Sequence, residues 1–281
     1  MHPTPPQCLT IAGSDSGGGA GIQADLKAFH ANGAFGLSVL TSITAQNTKT
    51  VTRAFDLPLD LVRAQLEAVF DDFDLAAIKT GMLSSVELVE LVAGFLRTRS
   101  HAPLVVDPVM IAKSGFALLA PEAVTAVKAR LLPLATVVTP NRHEAELLSG
   151  VKIESRGDLE RAGRAILDSG AQAVLLKGGH LDGAGFDSRR APDFLFDASG
   201  MCEFSSPRFD TTSTHGTGCT YSAAIAAQLG RGLPLKEAVG AAKRYVAGAI
   251  RHGLKIGHGH GPTDHFWFLE DPAALHREEV P

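Results

Sequence analysis

At 281 residues the chain lies near the size at which one hydrophobic core stops growing, and no stretch reads as a linker, so one α/β domain over residues 1–281, with an ordered core from about 8 to 268, is expected. A composition of 45% hydrophobic and 20% charged residues excludes a disordered chain, and a net charge of -4 gives neither nucleic acid nor an anionic membrane an electrostatic reason to bind. Cys8, Cys202 and Cys219 form no CxxC pair, the Pro-rich start has no leader pattern, and no apolar run reaches the ~18 residues of a membrane span, so a disulfide framework, a zinc cage and a membrane anchor are set aside and a cytoplasmic protein is expected.

In chain order, short apolar runs alternate with longer amphipathic ones. Leu9–Ala12, Leu37–Ile43, Leu75–Ile78, Leu104–Val106, Thr136–Val138 and Ala173–Leu176 read as strands. Between them, Gly21–Ala31, Leu59–Phe70, Val86–Leu96, Glu122–Leu131 and Leu159–Leu167 carry helical spacing. The strands are nearly continuous in Val, Ile and Leu, as in a parallel sheet covered on both faces. After Gly178 the polar, Gly-rich Leu181–Arg190 precedes two short runs, Phe194–Phe196 and Glu203–Phe204, around the turn Asp197–Gly200, which predicts a hairpin. Two Ala-rich helices follow, Cys219–Leu229 and Leu235–His252, and the tail from Ala273 reads as frayed.

The informative stretch is Asp210–Ala224, which runs through Gly216-Thr217-Gly218 into a helix expected to begin near Cys219. Two glycines let the backbone approach a ligand closely, and the free N–H groups of a helix's first turn attract an anion. Such a pocket holds a phosphoryl group as its charge redistributes; on spacing alone, a plain turn before a packed helix fits equally. The chain has no Gly-Lys dipeptide, hence no P-loop, and its glycines do not fit GxGxxG, so a nicotinamide fold loses its support.

THGTGCT (Thr214–Thr220), AGSDSGGGAGIQADLK (Ala12–Lys27), AQN (Ala45–Asn47), KTGML (Lys79–Leu83), VVDPVM (Val105–Met110), TPN with EA (Thr139–Ala145) and LLKGGH (Leu175–His180) stand in this order. Together they resemble the ribokinase-like superfamily and, within it, the hydroxymethylpyrimidine/phosphomethylpyrimidine kinases. The resemblance runs from about Leu9 to Phe268. It implies a three-layer α/β/α sandwich with a mostly parallel sheet, ATP as co-substrate with Mg²⁺, an aminopyrimidine alcohol and its phosphate as acceptors, and a homodimer.

The resemblance places the γ-phosphate against Gly216, Thr217, Gly218 and Cys219, with Cys219 beside the acceptor hydroxyl. A thiol at a helix N-terminus is expected to have a lowered pKa and to serve as a base. For Gln46, a carboxamide complements the donor–acceptor edge of an aminopyrimidine. Asp25 is expected to orient the substrate, with Ala20, Gly21, Met82 and Val109 lining the ring. Asp107, at a strand's carboxyl end, and Asn141 and Glu144 after the next strand are placed at ATP, with Asp107 and Glu144 as the Mg²⁺ carboxylates. Lys177, a lysine ending an apolar strand, and Thr214 are assigned to the phosphates.

Where the family shows GKGxGP, this chain has GHGHGP (Gly257–Pro262), so a weaker phosphate contact is expected at His258. His180, His215 and His260 read as loop histidines, and Ser16–Gly21 and Leu181–Arg190 as segments suited to move. The alternatives are a pyridoxal or pyridoxine kinase of the same superfamily and a non-catalytic thiamin- or nucleotide-binding regulator.

Overall fold

In a computed structural model the structure describes residues 4–110, 119–179 and 187–269. His180, most of Leu181–Arg190 and the tail from Ala273 lie outside these residues.

Strands β1 (Gln7–Asp15), β2 (Phe35–Gln46), β3 (Val51–Asp56), β4 (Leu75–Thr80), β5 (Leu104–Val106), β6 (Val137–Val138), β7 (Ala173–Lys177), β8 (Arg190–Asp197) and β9 (Gly200–Pro207) form one nine-stranded sheet in the order 3-2-1-4-5-6-7-8-9. From β2 to β7 neighbouring strands pair in parallel, and β3, β8 and β9 add antiparallel edges. The β8–β9 hairpin turns through Asp197–Gly200, where the composition placed it. Strand β3 escaped the sequence reading because its residues after Val51 are exposed and polar enough to pass for a loop.

Each strand's alternate residues enter different layers. On β7, Val174 and Leu176 face one core with α2 (Leu59–Asp72), α3 (Val86–Arg99) and α6 (Arg156–Leu167). Ala173 and Leu175 face the other, with α1 (Gly21–Ala31), α7 (Thr217–Gly230) and α8 (Leu235–Arg251). That is a three-layer α/β/α sandwich. In α7 every residue from Thr220 to Gln228 is buried, which suits a helix that is apolar all round.

Two helical readings change in detail. Glu122–Leu131 resolves into α4 (Pro121–Ala126), a π-helical turn Val127–Leu131 and a 3₁₀ turn Leu132–Leu134. Helix α5 (Arg142–Ser149) was unread, although Asn141 and Glu144 form its capping box: the Asn141 side chain accepts from the Glu144 N–H, and Glu144 accepts from the Asn141 N–H.

Candidate active site

The carboxyl ends of β1, β2, β4, β5 and β7 and the start of α7 open into one cavity of ≈ 1120 Å³. This is at or above the ~300–1,000 Å³ of ordinary small-ligand sites and leaves room for two co-substrates. An open parallel sheet places its ligands at this edge because loops diverge there.

At the cavity's floor, Lys177, the last residue of β7, reaches Asp107, just past β5, at 2.9 Å. Asp107 is 2% exposed and also accepts from Thr139 Oγ1 and Ser222 Oγ, each at 3.2 Å. Burial works to raise its pKa, but Lys177 and Lys79 outweigh that and hold it below the usual carboxylate range. The same pair keeps Lys177 charged against burial. Glu144 is buried nearby, and burial together with the Asp107 charge pushes it up to about 7.

Helix α7 aims its start at this pair. It begins at Thr217, two residues earlier than expected, after Gly216 at φ 77°. A helix's first N–H groups lack intrahelical acceptors; here the Thr217 N–H turns back to the Thr214 carbonyl, and those of Gly218 and Cys219 follow it, all three residues lining the cavity. A Cβ on Gly218 would lie 3.3 Å from Lys177 Nζ, so the anion pocket and the ion pair adjoin.

The Cys219 expectation is corrected. Burial first, then the Asp25 and Asp107 charges, push its thiol up to about 12, outweighing Lys79 and the Gly21 N–H that donates to the sulfur. In the free protein it is a thiol and not a thiolate. The helix start does not prevail because the half-buried sulfur loses solvation and has the Asp25 and Asp107 carboxylates near it.

Asp25 is also corrected. It is fully buried and does not line the cavity: both of its oxygens accept from Lys79, at 3.0 and 2.8 Å, and Oδ2 accepts from Thr10 at 2.6 Å. It is Lys79 that reaches the cavity. Burial disfavours its charge, but Asp25 and Asp107 more than compensate and raise its pKa. Lys79 was missed, though a lysine in the otherwise apolar run LAAIKT gives the same signal as Lys177.

The third correction is His215, which is no free loop histidine. It is 7% exposed, and its Nε2 donates to Asp15 Oδ2 at 2.8 Å. Asp15 also accepts the N–H groups of Gly17, Gly19 and Ala20, so one carboxylate ties the first glycine loop to the second. Burial works to raise the Asp15 pKa, but the hydrogen bonds from His215, Gly17 and Ala20 outweigh it and lower it. Gln46 lies 3.3 Å from the same His215 Nε2 through its own Nε2, and its Oε1 accepts from Thr44.

Gln46, Ala20, Gly21, Met82 and Val109 line one part of the cavity, and Asn141 and Thr214 also line it. Beyond Lys177 the walls are Pro207, Phe209, Val246, Ala247 and Ile250. There Lys243, another residue the sequence reading missed, pairs with Asp193 at 2.6 Å. His258 is not among the residues that line the cavity, and its N–H donates to Thr48.

The family model described as phosphomethylpyrimidine kinase matches residues 15–264. The hydroxymethylpyrimidine/phosphomethylpyrimidine kinase of Streptomyces coelicolor is 52% identical over 266 residues, 95% of this chain and 96% of that protein. A thiamine biosynthesis bifunctional protein of Geobacter sulfurreducens is 49% identical over 263 residues, 94% of this chain and 53% of that protein. The solved pyridoxal kinase of Staphylococcus aureus in complex with AMP-PCP and pyridoxal matches with a TM-score of 0.85 at 38% identity, over 95% of each chain. The layered sheet is therefore the ribokinase-like one. Since the matched segment begins at Asp15, which ties the two glycine loops together, and runs past the cavity's last wall, the chain belongs to the phosphomethylpyrimidine kinase family.

Proposed function

We propose that this kinase transfers the γ-phosphoryl group of ATP to 4-amino-5-hydroxymethyl-2-methylpyrimidine, and then phosphorylates that monophosphate to the diphosphate for thiamin diphosphate synthesis. One observation carries the reading: the start of α7, the Lys177–Asp107 pair and the Gln46 amide face a single cavity with room for both co-substrates. The acceptor oxygen attacks Pγ, the bond from Pγ to the β–γ bridging oxygen breaks, and ADP leaves; in the alcohol step the hydroxyl proton passes to a transferred phosphoryl oxygen or to water. The protein's task is positioning and charge stabilisation. Gly218 and Cys219 offer N–H groups to the moving phosphoryl group beside Thr217, Lys177 and Thr214 hold the nucleotide phosphates, and the apolar wall of Val246, Ala247 and Ile250 suits the adenine. Gln46 reads the aminopyrimidine edge, with Met82 and Val109 against the ring.

The donor set fits Mg²⁺. Asp107 and Glu144 are two buried carboxylates of which one already resists ionisation beside the other, so a hydrated divalent cation would relieve their repulsion. When bound, it would neutralise phosphate charge. Glu144 then sets a pH limb. Because its pKa is raised to about 7, the carboxylate forms only as pH climbs through neutrality, and kcat/KM for ATP should rise with it. The sign for stability is opposite: the raised pKa favours the folded state at low pH, and that contribution fades as pH rises through about 7. Glu144→Gln should flatten the acidic limb of kcat/KM between pH 5 and 8, at a cost of about 10-fold at pH 8 by the loss of a charged ligand; an unchanged limb removes the assignment.

With its thiol up at about 12, Cys219 is assigned to seating the acceptor oxygen. A loose transition state needs little help from a base. Cys219→Ala should slow the alcohol and monophosphate steps alike, each by less than ~10-fold, whereas loss of a general base costs ~10²–10⁴. A loss of that size confined to the alcohol step would restore the base role.

Identity to the Streptomyces coelicolor enzyme, 52%, exceeds the 38% to the pyridoxal kinase, which favours pyrimidine over pyridoxine. The cytoplasm is the proposed location, and a homodimer the proposed state. The exposed Ile43, Phe55 and Leu61 support the dimer: Ile43 and Phe55 are register partners on β2 and β3, with Leu61 on α2. Light scattering gives its mass. A coupled assay of ADP release with hydroxymethylpyrimidine, its monophosphate and pyridoxine decides the substrate. Higher kcat/KM on pyridoxine would overturn the reading, and no turnover of any acceptor would leave a nucleotide-binding regulator.

A further inference from the structure

The wall that carries Gln46 ends in the turn between β2 and β3, and the tip of that turn is gripped from outside. Thr48 Oγ1 accepts from the N–H groups of His258, at 3.2 Å, and Gly259, at 3.1 Å. The Thr48 carbonyl accepts from the His260 N–H at 2.8 Å. The glycines of GHGHGP permit this contact. A Cβ on Gly259 would lie 2.1 Å from the Thr48 oxygen, and one on Gly257 would lie 2.5 Å from its side chain. The side chain at position 258 is exposed, which is why lysine or histidine can stand there.

The same loop then grips the second glycine segment. The Gly261 carbonyl accepts from the His215 N–H at 3.0 Å, and Leu254, bonded to Pro262, accepts from Ser213 Oγ at 3.0 Å. His215 closes the ring back to Asp15 and lies beside Gln46. Gln46 also sits at a break in the β2–β3 register, between Ala45 and Gln46, and such irregularities re-aim a side chain. The Gln46 N–H donates to Ser16 Oγ, its carbonyl accepts from the same hydroxyl, and the Asn47 N–H closes the turn on Thr50, so the clip adds to these a hold on the tip from outside.

We infer that Thr48 is a positioning residue for the acceptor ring, and that the Gly257–Pro262 loop is a clip that fixes the Gln46 amide relative to the anion pocket. The clip's far end, through Ser213 and His215, adjoins the start of α7, whereas Thr48 bonds its near end beside Gln46, so removing the Thr48 hydroxyl should act first on the acceptor. The inference rests on the pyrimidine reading above for the identity of that acceptor.

Thr48→Val keeps the shape and removes the acceptor oxygen. It should raise KM for the pyrimidine alcohol about 10-fold, or ~1.4 kcal/mol, with kcat and KM for ATP within about twofold. Thr48→Ser should restore the wild-type KM. Because Thr48 acts through Gln46, adding Thr48→Val to Gln46→Ala should change KM little further, so the double-mutant cycle is non-additive. Unchanged pyrimidine KM, equal changes in both KM values, or strict additivity would overturn the clip. If the wild type turns over pyridoxine and not the pyrimidine, the functional reading fails, and the same cycle run with pyridoxine still decides the role of Thr48.

Discussion

Lys177→Met should lower kcat/KM for ATP by about 10³, or ~4 kcal/mol of transition-state stabilisation. Its ammonium adjoins the anion pocket and is the partner of a carboxylate that is 2% exposed. The same change should cost stability, because it leaves Asp107 charged and buried with only hydroxyl donors and the more distant Lys79. Breaking one side of a buried pair typically costs ~3–5 kcal/mol. Adding Asp107→Asn removes the stranded charge and should recover most of the stability while activity stays lost. Urea denaturation of the two single variants and the double variant, beside steady-state kinetics, separates the contributions. Recovery of both stability and activity in the double variant would show the pair to be structural only.

Gly216→Ala should be nearly as damaging to turnover, with loss of more than ~10² in kcat, the size of a lost oxyanion donor. Gly216 has φ 77°, and a Cβ there would sit 1.7 Å from the Gly19 carbonyl oxygen. Neither that carbonyl nor the Ala20 Cα, 3.2 Å away, can yield cheaply, since both are backbone. Relief requires the two glycine loops to separate, which draws the first N–H groups of α7 away from Lys177. Strain in the left-handed region contributes ~1–3 kcal/mol and overpacking a similar amount, for about 2–6 kcal/mol in all. Gly33→Ala is the control. Its φ is 78°, but nothing lies within 4 Å of the added carbon, so it should show the strain alone with kcat intact. Equal effects on kcat from both variants would dismiss the close approach as the cause.

How much of this was legible beforehand depends on the kind of residue. Lys177 could be read because a lysine ending an apolar strand has few packing explanations, and Lys79 in LAAIKT carried the same sign. The Asn141–Glu144 spacing announced a capping box, and the capped helix α5 follows it. His215 gave no local sign. Its partner, Asp15, lies 200 positions away, and only the packing of α7 against α1 beside β1 brings them to 2.8 Å. Asp25 looked like a ligand because it stands four residues after a glycine turn. It became the counter-ion of Lys79 once β4 was laid beside β1, with Thr10 opposite Lys79 in register.

The sequence by itself determined the layered α/β architecture, since apolar runs of strand length between amphipathic helices have no other economical burial. It also determined the family, through motifs whose order is preserved. What only the tertiary structure decided was ionisation and aim: which carboxylate meets which lysine, that Cys219 is a thiol, that Glu144 titrates near neutrality, and that Thr48 is held by a distant loop. Strand patterns depend on near neighbours in the chain, whereas desolvation and charge pairing depend on what surrounds a group in space. For these groups that surrounding comes from strands and loops far apart in the chain.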